Sequence, residues 1–320
     1  MKRDVSIQLI RILSMFLIII GCHLISEFGN DILKKAGQIF NVGVYIFLFI
    51  SGYLYGDKII KNKKKWYFKR LKRILIPMYI FMVFVFALYA LKGNLELSQS
   101  YIYIYILNLQ YYLGAIEGTG HLWFLTIIMI CYFLTPILEK IKNKINFRYL
   151  VFILVVLGIA AAYCNEKAGR TIFYLIPYVS GYYYKKSNTK RNTNKIFIYF
   201  LCISSLLIRF LCNKLIDGTV LYDVVVSGLT HSLFAFCIFY IVKDLCVHFN
   251  LKENAIINHL DKISYYMYIT HYIFMTGSIR LMGLTKSLLL NSIITLFMAY
   301  VTALLLMLVD NKVQNKIEDS

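Results

Sequence analysis

Blocks of about 20 apolar residues follow one another along the whole chain. An α-helix rises 1.5 Å per residue, so roughly 20 such residues cross the ~30 Å hydrocarbon layer of a bilayer. The blocks fall at 5–26, 38–56, 74–92, 121–138, 149–164, 171–184, 196–212, 223–242, 264–283 and 287–309. The sixth is short and holds Pro177, which fits a tilted segment or one that begins earlier. The expected fold is all-α: one polytopic domain over residues 1–320, with about ten transmembrane helices. A large soluble helical protein is a poor alternative. Only 16% of the residues are charged, where soluble chains carry roughly 25%.

The charges give the bundle a direction. With the N-terminus inside, the inner segments hold 25 Lys and Arg and the outer ones 8, while Arg11 and Arg209 fall within spans. This bias alternates loop by loop and predicts both termini in the cytoplasm. The net charge of +19 is therefore a topology signal, and nucleic acid is not an expected partner. Membrane lipids are. The seven cysteines lie mostly inside or at the ends of spans, without a CxxC, and read as small apolar residues. Met1-Lys2-Arg3 ahead of an apolar run looks like a signal peptide. No small-residue cleavage site follows, so the run reads as an uncleaved first helix.

Two connections stand out. The inner segment 57–73, DKIIKNKKKWYFKRLKR, is dense in positive charge with Trp66, Tyr67 and Phe68 within it. It reads either as an anchor on anionic lipid or as a site for a phosphorylated cytoplasmic ligand. The outer connection 93–120 contains YIYIYILNLQYY. That stretch either lies flat at the interface or dips in as a re-entrant segment.

Ionisable groups at membrane depth are costly and point to function. Arg11 lies about a turn and a half into the first span, and His23 lies 12 residues later, about 18 Å along the axis. Arg11 either snorkels to the headgroups or marks a deep part of a path. His23 is either a polar helix end near water or a functional imidazole. Glu27, one turn on, either orients that imidazole or sits solvated in the loop. His121 opens the fourth span beside Trp123. His271 lies two turns into the ninth, with Ser264, Tyr268 and Thr270 as polar neighbours. Arg209 reads as a snorkelling side chain near the outer end of span seven, and His231 as part of the polar interior. His248 and His259 read as surface residues. No HExxH, Walker loop, GxGxxG or GxSxG occurs, so no metal is expected.

Five segments together resemble one family, the membrane-bound acyltransferase-3 proteins, bacterial enzymes that O-acylate surface sugars. They are IQLIRILSMFLIIIGCH (7–23), GVYIFLFISGYL (43–54, with Ser51), FKRLKRILIPMY (68–79, with an RxxR at Arg70 and Arg73), HLWFLTIIMICYFLTPIL (121–138) and ISYYMYITH (263–271). They occur in the family's order and cover the chain end to end. One spacing departs. The family has ten residues between the basic residue and the histidine of its first helix, and here there are eleven. Eleven steps at 100° return to within about 20° of one face, whereas twelve leave about 120°. Either a π-bulge near Gly21 restores the face, or the histidine works from a shifted frame.

The resemblance implies transfer of an acyl group, acetyl by default, from cytoplasmic acyl-CoA to a hydroxyl of an extracytoplasmic or lipid-linked glycan, in the bacterial inner membrane. His23, Arg11, Glu27 and His271 would be catalytic. Arg70, Arg73, Lys69 and Lys72 would hold the phosphates of acetyl-CoA, the co-substrate. His121, Trp123, Ser51 and Tyr268 would line the cavity. A histidine suits the role because a sugar hydroxyl needs a base near neutrality. A transporter of glycans or lipids is the rival reading. Against it, the sequence shows no paired halves with matching broken helices and no carboxylate at membrane depth.

Overall fold

The computed structural model describes residues 4–93, 95–186 and 194–319. The leader-like start at residues 1–3 and most of the basic stretch 185–195 lie outside the described residues. All regular structure among the described residues is helical. Seven helices are long and apolar enough to cross a membrane: Val5–Phe28, Lys63–Leu91, Gly120–Ile141, Phe147–Cys164, Lys195–Ile216, Leu221–His248 and Leu288–Ile317.

The other three expected spans take different forms. The block 38–56 holds an apolar helix of only 11 residues, Gly43–Tyr53, about 17 Å long and too short to cross alone. The block 171–184 belongs to the helix Glu166–Lys186, which does begin earlier than Pro177 suggested. Its tyrosines and charged ends keep it below span hydropathy, and much of it is buried in protein. The block 264–283 is not one helix. Ala255–Thr270 ends there, and a short 3-10 turn, Tyr272–Phe274, follows.

The chain divides into two compact units. The first comprises residues 1–17, 39–61 and 131–258. Its core gathers Ile10, Ile46, Phe49, Ala235 and Phe239, all with no exposed surface. Glycines set the helix contacts here. A Cβ on Gly52 would meet the carbonyl of Tyr178, one on Gly56 that of Tyr182, and one on Gly181 that of Phe49. The helices Gly43–Tyr53 and Glu166–Lys186 therefore touch backbone to backbone, the small-residue packing that replaces the hydrophobic drive inside a membrane.

The second unit comprises residues 18–38, 62–130 and 259–320. Asn62 caps the helix Lys63–Leu91, accepting from the backbone N–H of Lys65 at 3.0 Å. The long connection after it folds back rather than lying flat. The helix Leu95–Ile106 returns along the span, and Tyr79 donates to the carbonyl of Ile106 at 2.8 Å. Tyr79 is 12 residues from the end of the span, so the connection re-enters by about 18 Å. A left-handed Asn108 (φ 55°) turns the chain. Its amide donates to the carbonyl of Leu125 at 3.1 Å, and Gln110 donates to that of Leu122 at 2.9 Å. Tyr105 accepts from the backbone N–H of Ile116 at 2.9 Å. These bonds seat the start of the helix Trp123–Ile141, where His121 lies.

Candidate functional site

Three helix ends in the second unit bring three histidines together. His23 lies in a nine-residue π-helix, Leu17–Ile25. A π turn bonds i to i+5 and takes up one residue more than an α turn. The extra residue between Arg11 and His23 is absorbed here, in the segment that contains Gly21. His121 lies in the 3-10 turn Gly120–Leu122. His271 lies immediately after the helix Ala255–Thr270.

The hydrogen bonds assign the protons. His271 Nδ1 lies 2.7 Å from the carbonyl of Tyr268 and 3.1 Å from that of Met267. A carbonyl only accepts, so Nδ1 carries hydrogen and Nε2 of the neutral ring carries the lone pair. His23 Nδ1 lies 2.8 Å from that Nε2 and is therefore the donor. The lone pair of His23 then sits on Nε2, which bonds to nothing among the described residues. His121 Nε2 donates to the carbonyl of Ile269 at 3.0 Å, and its Nδ1 is buried without a partner.

The arrangement follows from an interrupted helix. The last four carbonyls of a helix lack intrahelical partners. Here His271 takes those of residues 267 and 268, and His121 takes that of 269. The negative end of the helix dipole thus faces the N–H groups of two imidazoles. All three histidines are buried, His271 completely. No metal-binding group of three is found among the described residues.

Tyrosines wall the cluster. The ring of Tyr272 lies 4.7 Å from that of His23 and 5.2 Å from that of His121. Tyr268 packs edge-on against His121 at 5.2 Å and donates to its backbone carbonyl. Glu27 reaches the cluster at one remove. It accepts from the hydroxyl of Tyr272 at 3.0 and 3.2 Å, and the partner of the His23 imidazole is His271 instead. Tyr272 was not singled out by sequence. Its only signal is adjacency to His271.

Trp123 packs on Tyr111, 5.6 Å between rings. Arg11 and Ser51 belong to the first unit. Lys69, Arg70, Lys72 and Arg73 line the first turns of Lys63–Leu91. Arg70 stacks over Trp66 at 5.6 Å, and Lys72 donates to the carbonyl of Gln314 at 3.2 Å. Lys69 and Arg73 are exposed.

Three expectations change. Arg209 does not snorkel: it is 7% exposed and donates to His231 at 2.8 Å. His259 is half-buried and bonded to Tyr300 at 2.9 Å. A carboxylate does lie within an apolar helix. Asp310 is fully buried, accepting from Tyr266 at 2.7 Å and from Gln314 at 2.7 and 2.8 Å. With its partners satisfied, it reads as a tie between helices.

Searches of curated proteins and of solved structures each found no significant match. A family model described as an acyltransferase domain, that of the acyltransferase-3 proteins, matches residues 4–309. The apolar helices and this match together make the protein a multi-pass membrane protein with an acyltransferase domain. The chain belongs to the acyltransferase-3 family.

Proposed function

We propose that the protein transfers an acyl group, acetyl by default, from cytoplasmic acyl-CoA to a hydroxyl of an extracytoplasmic or lipid-linked glycan. The observation that carries the reading is the hydrogen bond from His23 Nδ1 to His271 Nε2. It leaves a lone pair on His23 Nε2 and holds the ring in one tautomer. In acyl transfer the acceptor oxygen forms a C–O bond with the thioester carbonyl carbon. His23 Nε2 takes the hydroxyl proton, the C–S bond breaks, and the sulfur leaves as CoA–SH with the proton from the imidazolium. His271, tied to the carbonyls at a helix end, does for His23 what a carboxylate does for histidine in a hydrolase triad.

In this reading ten segments cross or enter the inner membrane of a bacterium, with both termini inside. The positive loop bias supports that orientation. It puts Arg70 and Arg73, with Lys69 and Lys72, on the side of the donor's phosphates. The two arginines are three residues apart and share a helix face. Acetyl-CoA is the co-substrate.

Proteoliposomes given labelled acetyl-CoA and the membrane glycans of the host test the reading. Label should enter the glycan with the native protein and fall to background with His23→Ala. Glycan or lipid flux without acyl-CoA, and no label transferred, would show a transporter instead.

A further inference from the structure

The first unit holds a second buried cluster that the acyl-transfer chemistry does not use. Arg209, on the helix Lys195–Ile216, is 7% exposed and donates from Nη1 to His231 Nε2 at 2.8 Å. His231 is 5% exposed. Its Nδ1 lies 2.6 Å from the carbonyl of Ser227. That nitrogen must carry hydrogen, so the ring is neutral and receives the guanidinium proton on Nε2. Tyr222 lies beside Arg209. The ring of Tyr45 lies nearly parallel to that of His231, 4.8 Å away, and Tyr174 packs on Tyr45 at 5.1 Å.

The charge in this cluster is not balanced. Among the described residues no carboxylate forms an ion pair with Arg209. A guanidinium has five N–H donors, and the one neutral acceptor, His231, leaves most of them open. Burying an uncompensated ion costs several kcal/mol, which an anion seated against Arg209 would offset.

Position argues for the source of that anion. Arg209 is seven residues from the end of its helix at Ile216, about 10 Å along the axis. Its neighbours Ile208, Phe210 and Leu211 are about half exposed, so a lipid-facing apolar surface flanks the buried cation. The boundary between headgroups and acyl chains lies at such a depth. We propose that Arg209, oriented by His231 and with Tyr222 beside it, is the binding site for the phosphodiester of an anionic membrane lipid, independent of the acyl-transfer reading.

Native mass spectrometry of the full-length protein in neutral detergent tests this, with phosphatidylglycerol, diacylglycerol and inorganic phosphate as probes. The native protein should retain one phosphatidylglycerol at least tenfold more than diacylglycerol, and inorganic phosphate should not displace it. Arg209→Gln should lose that preference, and Lys214→Gln, an exposed cation on the same helix, should keep it. If Arg209→Gln fails to fold, Arg209→Lys substitutes: it keeps the charge, loses the planar donors, and should bind several-fold more weakly. Equal retention of phosphatidylglycerol and diacylglycerol by the native protein would overturn the proposal. So would displacement by phosphate, or unchanged retention in whichever Arg209 variant folds.

Discussion

His23 and His271, 248 positions apart in sequence, lie 2.8 Å apart from Nδ1 to Nε2, and the carbonyls of Met267 and Tyr268 decide which of them donates. His271 can only accept from His23, and His23 can only offer Nε2 to a substrate. The pair acts as one unit whose polarity is set by backbone.

Removing His271 should therefore harm chemistry more than binding. His271→Gln is expected to lower kcat by about 10³-fold or more while leaving KM for acyl-CoA within about threefold, as for other orienting partners of a catalytic histidine. Adding His23→Ala to it should cost little more than His23→Ala alone. Steady-state kinetics of the single and double variants check this. Independent, multiplying losses would show that the two act separately.

The π-helix makes a length prediction. Deleting one residue from Ile18–Ile20 lets the segment Leu17–Ile25 revert to α-helix with His23 still in register. Activity should stay within about tenfold of native. Inserting one residue at the same place should rotate His23 by about 100° and abolish transfer. An active insertion variant and an inactive deletion variant would reverse the expected pattern.

The sequence made much of this site visible and left its logic hidden. His23, His121 and His271 each stand out as polar residues in apolar blocks. The resemblance to acyltransferase-3 proteins joined them, and the odd spacing after Arg11 pointed to the π segment. Hydrophobicity could not reveal that the ninth block breaks after Thr270, because YITHYIF is apolar on both sides of the break. The acceptors that fix the tautomers are backbone carbonyls, which every residue has, so no residue pattern marks them. The same blindness explains Arg209. A lone arginine near a span end reads as snorkelling unless the histidine 22 positions on is known to face it.

The close helix contact in the first unit depends on glycine. Gly52→Val and Gly181→Val would each drive a side chain into a partner backbone carbonyl. Each should cost about 1–3 kcal/mol or more, and mild detergent should reveal a fall of several degrees in Tm. A change within experimental error at both positions would mean that the helices are not held this close.

For the donor side, Arg70→Gln and Arg73→Gln should raise KM for acyl-CoA by about tenfold each, with kcat largely kept. The increase should shrink at high salt, most for the exposed Arg73, because exposed charges are screened. An unchanged KM in both variants would place the phosphates elsewhere.

The central claim is that His23 Nε2 takes the acceptor's proton during acyl transfer to a glycan. Its most direct test is the O-acyl content of the host's surface glycans in a strain carrying His23→Gln at native expression level. Loss of the acyl groups, restored by the native gene, is the predicted result. Full acylation in a well-expressed His23→Gln strain would contradict the account.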